Sequence, residues 1–171
     1  NRSYFASSEK IHNMLNFIPR IGIMQGRLSE PTNNQIQSFP KDTWKTEFEK
    51  AHQCGFQVLE WIFDDISNPL MNNSEIDKII LLSQKYNISI NSVCADYFMN
   101  EKLFNVSDFE LKKNFSVLSD LIVQCDKIGV KIIEIPLVDS SSLQNKDNQN
   151  EFIQNMTVFL SKLSSNIIIN L

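Results

Sequence analysis

The sequence predicts an α/β fold, a (β/α)8 TIM barrel truncated after about four βα units and a fifth strand. Three observations predict it. Strand-like and helix-like segments alternate along the chain, which implies a parallel sheet with helical crossovers. Strand starts near Phe56, Ile88, Lys131 and Asn166 lie roughly one βα unit apart, as repeated crossovers require. No GxGxxG or P-loop motif follows the first strand, so the usual signature of an open nucleotide-binding sheet is missing. A complete barrel needs roughly 250 residues; the 171 residues here supply slightly more than half.

The elements follow in order. Ile18–Met24 (IPRIGIM) is a first apolar strand, and a long loop with Pro31 and Pro40 runs from Gln25 to Pro40. Asp42 can cap a helix through Cys54 that places Trp44, Phe48 and Ala51 on one face and stops at Gly55. Trp44 and the helical Phe residues read as core. Phe56–Ile62 (FQVLEWI) is the second strand. Ser74 can cap the next helix, which carries Ile76, Ile79, Ile80 and Leu82 and ends near Asn87.

Ile88–Ala95 (ISINSVCA) is the third strand. Ser107-x-x-Glu110 reads as a capping box ahead of Leu111, Phe115, Leu118, Ile122 and Cys125 at helical spacing, and Gly129 ends that helix. Lys131–Leu137 (KIIEIPL) is the fourth strand. A Ser/Asn/Asp-rich loop from Asp139 to Asn150 leads to a helix with Phe152, Met156, Phe159, Leu160 and Leu163. Asn166–Leu171 (NIIINL) opens the fifth strand.

Composition excludes some classes. The chain carries 20 acidic against 16 basic residues, net −4, without the basic excess of a nucleic-acid surface. Its apolar runs fall far short of the roughly 20 residues of a membrane helix. The N-terminus does not read as a secretory signal. Cys54, Cys94 and Cys125 are far apart and form no CxxC pair, which argues against a thiolate zinc site or a disulfide framework. A reducing cytoplasm fits best. Residues 1–14 are polar and aperiodic and lack an initiator methionine. They are expected to be a disordered or non-native tail before the domain at 15–171, with Met14 as the natural start.

Five blocks carry a resemblance: Ile21–Leu28 (IGIMQGRL), Gln37–Trp44 (QSFPKDTW), Leu59–Asp64 (LEWIFD), Ser92–Met99 (SVCADYFM) and Ile135–Leu143 (IPLVDSSSL). In this order they resemble the sugar phosphate isomerase/epimerase family, the xylose isomerase-like group of TIM barrels. The resemblance implies a metal-assisted proton transfer on a carbohydrate, with the site at the barrel mouth. It implies a divalent metal ion in the full-length protein, held by ligands on the fifth to eighth strands and therefore beyond Leu171, with no metal ligand in this chain. A sugar or inositol dehydratase on the same barrel, or a non-catalytic sugar-binding barrel, are the alternatives. The implied partner is a small-molecule carbohydrate, with neither nucleic acid nor membrane; a homo-oligomer is compatible with the sequence.

In such a barrel the site lies at the C-terminal strand ends, which selects Gln25, Arg27, Glu60, Trp61, Asp96, Tyr97 and Asp139. Glu60, inside an apolar strand, is the catalytic candidate; equally it reads as a buried carboxylate paired with Arg27. Arg27 can clamp a phosphate or sugar acid, or form an ion pair that fixes the long first loop. Gln25 and Asp96 suit hydroxyl recognition. Trp61 and Tyr97 can stack on a sugar face or pack in the core. Asp139 lies in a substrate loop or a helix-entry turn. Glu134 reads as a structural position in the barrel wall, and Cys94 as inert packing. The apurinic-endonuclease branch needs His ligands at early strand ends, whereas the two histidines here are His12, in the tail, and His52, within the first helix.

Overall fold

A computed structural model of the chain describes residues 20–31 and 37–171. The tail expected at 1–14, with Met14, lies outside them. Five strands form one sheet in the order β1-β2-β3-β4-β5. They are β1 (Gly22–Met24), β2 (Val58–Ile62), β3 (Ser89–Cys94), β4 (Ile132–Glu134) and β5 (Ile168–Asn170). Every neighbouring pair is parallel. Sequential parallel neighbours are what the βα spacing predicted; the strands are shorter than the apolar runs suggested.

The crossovers carry helices α1 (Trp44–Gln53), α2 (Asn73–Tyr86), α3 (Tyr97–Asn100), α4 (Asp108–Ile128) and α5 (Lys146–Leu160). The predicted capping box holds: Ser107 and Glu110 exchange side-chain and backbone bonds at the start of α4, and Gly129 closes it at φ 81°. Two caps differ. Asn72, not Ser74, caps α2, its side chain accepting the Ser74 N–H. Asp42 does not cap α1, whose N-cap is Thr43 without a side-chain capping bond; the Thr43 and Trp44 N–H groups both turn back to the Pro40 carbonyl. The short helix α3 had no signal in the hydrophobic period, since four residues are barely one turn.

Alternation along the strands separates two faces. Leu59, Trp61, Val93, Ile133 and Ile135 are buried in one apolar cluster with the helices. Trp61 meets Phe39, Trp44 and Phe48 at ring separations of 5.3, 5.5 and 6.4 Å. The opposite face carries Glu60, Ser92 and Glu134. Toward the strand starts, Ile132 and its register partner Ile168 are exposed. That face has an apolar floor and a polar upper level.

Candidate functional site

All strands point the same way, so the loops that follow them gather at one end of the sheet. Those loops enclose a cavity of about 1360 Å³. Met24, Cys94 and Glu134 line it from the ends of β1, β3 and β4, and Asp64, Asp96 and Asp139 from the loops after β2, β3 and β4. Gln37 and Asn100 add amides, and Met99, Leu137 and Leu143 add apolar surface.

Side-chain bonds lock the loops to one another. The Gln37 amide donates to Asp96 Oδ2 at 2.8 Å, and the Cys94 thiol donates to Asp96 Oδ1 at 3.1 Å. Burial, with the Asp96 carboxylate beside it, pushes the Cys94 thiol far above its ordinary range, which disfavours the reactive thiolate. Asp64 Oδ2 accepts the Phe39 N–H at 2.9 Å; its Oδ1 is buried with no partner among the described residues. Ser140 donates to the Met99 carbonyl, joining the fourth loop to the third. Asp139 itself sits at a positive φ of 49°, uncommon for a side-chain-bearing residue.

Of the residues selected from sequence, the cavity brings together Asp96 and Asp139. Glu60 faces the side of the sheet away from the helices, where the Ser92 hydroxyl donates to it at 2.8 Å. Its described partner is Ser92, and it is not part of the cavity lining. Gln25 is buried, its N–H bonded to the Glu60 carbonyl and its Oε1 accepting from Ile62 N–H at 3.3 Å. Arg27 is exposed outside the lining, with its guanidinium 4.0 Å from Met24 Sδ. Trp61 points to the helices and donates its indole N–H to the buried Asn68 at 2.9 Å. Tyr97 is buried on α3 between Phe63 and Phe98, and that burial raises its phenol pKa.

The polar lining residues Asp64, Gln37, Asn100 and Glu134 were missed. Glu134, read as barrel wall, reaches the cavity because the β3–β4 register sets it beside Cys94. Gln37 lies in a loop without a period; its only signal was its place in a resembling block. Among the described residues no group of three or more His, Cys, Asp or Glu side chains is arranged to hold a metal ion. The described donors therefore do not make a metal site by themselves. Among the described residues no helix is long and apolar enough to cross a membrane.

No protein-family model and no curated protein sequence matches the chain. Solved structures do. A D-psicose 3-epimerase with D-tagatose, from Clostridium cellulolyticum H10, superposes with a TM-score of 0.57 at 15% identity, over 82% of this chain and 47% of its own. IolI with a bound zinc atom gives 0.57 at 15% identity, over 73% and 44%. AsbF of Bacillus anthracis, a probable 3-DHS dehydratase, gives 0.57 at 12% identity, over 88% and 51%. An AP endonuclease of family 2 from Brucella melitensis is similar as well. The chain has the fold of the xylose isomerase-like TIM barrels and spans about half the length of the structures it matches. Those structures differ in chemistry, so the likeness is one of fold and not of reaction.

Proposed function

We propose that this chain forms part of an isomerase or epimerase that moves a proton next to the carbonyl of a carbohydrate. The observation that carries this reading is the convergence of Asp96, Glu134 and Asp139 on one cavity at the C-terminal strand ends, where barrel enzymes place their chemistry. Carboxylates accept hydrogen bonds from hydroxyl groups, and Met24, Met99 and Leu143 offer apolar surface to the carbon skeleton. Asp96, held from behind by Gln37 and Cys94, orients substrate hydroxyls. Glu134, on a strand rather than a loop, is the carboxylate best placed to take the proton. Glu60, paired with Ser92 and outside the lining, supports the inner wall in this reading. The matched structures are about twice as long, so the rest of the site belongs to the other half of such a barrel.

The test is exchange in heavy water. A chain extended to barrel length is incubated in D2O with a panel of aldoses and ketoses and followed by NMR. Deuterium entering the carbon beside the carbonyl, with interconversion of sugars, supports the proposal. Loss of water from the substrate would make the protein a lyase, as the likeness to AsbF allows. No exchange with any sugar would sink the proton-transfer reading.

A further inference from the structure

The lining of the cavity carries an inference about substrate class, which rests on the carbohydrate reading above. Four of its residues are carboxylates: Asp64, Asp96, Glu134 and Asp139. Two more, Gln37 and Asn100, are amides. Among the described residues no Lys, Arg or His lines it. Arg27 is exposed and lies outside the lining.

Charge and hydrogen-bond balance both disfavour an anionic ligand in this cavity. A phosphate ester or sugar acid placed here meets several carboxylates and no cation among the described residues of the wall, and like-charge juxtaposition is strongly unfavourable. Carboxylates only accept, and Asp64 Oδ1 is buried without a donor among the described residues. Sugar hydroxyls supply donors, whereas a phosphate dianion supplies only acceptors. The Gln37 amide is already spent on Asp96, and the Phe39 N–H on Asp64. We infer that the substrate is an uncharged polyhydroxy aldehyde or ketone, and not a sugar phosphate or a sugar acid.

The test compares three matched probes: D-fructose, its phosphate monoester and its amino-deoxy analogue. Saturation-transfer NMR titrations measure their affinities for the protein at low and high salt. D-fructose is expected to bind, and the phosphate ester to bind at least about tenfold more weakly, as repulsion by several carboxylates requires. The gap should narrow at high salt and in Asp96→Asn with Asp139→Asn. Equal or tighter binding of the phosphate ester overturns the inference but leaves the carbohydrate site standing, and its loss in Arg27→Ala would identify Arg27 as the clamp. Preference for the amino-deoxy analogue over D-fructose also overturns it, because the carboxylates would then serve a cation. Binding of none of the three removes the carbohydrate reading itself. The wild-type comparison decides the matter even where the double variant fails to fold.

Discussion

Glu47 holds Gly26 with both carboxylate oxygens, at 3.0 and 2.9 Å from the Gly26 N–H. One oxygen also accepts the Leu28 N–H at 3.3 Å. Glu47 is fully buried on α1, so the first mouth loop is pinned from beneath by a carboxylate whose partners are backbone groups. Lys50 binds the Leu28 carbonyl at 2.7 Å and completes the clasp.

Glu47→Ala should therefore cost roughly 2–4 kcal/mol, since buried groups left unpaired cost about 1–3 kcal/mol each. Glu47→Gln should recover part of this, because its amide carbonyl still accepts one bond. Urea unfolding measures both. A midpoint unchanged in Glu47→Ala would mean that the loop is held by other contacts.

Gly26 and Gly55 share a φ of 81°, but a Cβ at Gly26 would lie 2.9 Å from the Ser38 carbonyl oxygen, while one at Gly55 meets nothing within 4 Å. Gly55→Ala should cost only the left-handed penalty of about 1–2 kcal/mol. Gly26→Ala should cost clearly more and disturb the loop toward Ser38. Thermal unfolding of the two variants side by side checks this order; equal losses would contradict it.

The parallel order of strands was legible because hydrophobic period and spacing are local signals. The capping box at Ser107 and Glu110 was legible for the same reason. Asn72 and Ser74 were not separable, since both can cap and only the backbone turn at Asn72 decides. The site was read less well. Trp61 and Glu60 are neighbours on β2 and must face opposite sides, but the sequence does not say which side the helices cover. The cluster of Phe39, Trp44 and Phe48 draws Trp61 outward and leaves Glu60 on the inner face. Glu134 enters the cavity through the register between β3 and β4, a non-local property.

The cysteines should separate by reactivity. Cys54 is exposed, whereas Cys94 and Cys125 are buried, and desolvation raises both buried thiols far above their ordinary range. Iodoacetamide at pH about 8, close to the ordinary thiol range, should modify Cys54 in the native protein, and the other two only after unfolding. Rapid native labelling of Cys94, located by peptide mass mapping, would contradict its place beneath Asp96.

Substitutions should divide by whether the side chain lines the cavity. Asp96→Asn and Asp139→Asn should each weaken D-fructose binding by roughly fivefold, about the value of one hydrogen bond. Trp61→Phe and Tyr97→Phe should leave binding unchanged, although Trp61→Phe loses the bond to Asn68 and should lower stability by about 1–3 kcal/mol. Titrations at a temperature where all four variants are folded make the comparison. Weaker binding in Trp61→Phe at full folding would place the indole in the site.

The most direct test of the account is a two-dimensional NMR titration of the isotope-labelled protein with D-fructose. If the cavity at the strand ends is the carbohydrate site, shifts should concentrate on the backbone amides of Asp96, Asn100, Val138, Asp139 and Leu143, all on its wall or rim. Saturable shifts confined to other surfaces, with these amides unmoved, would contradict it.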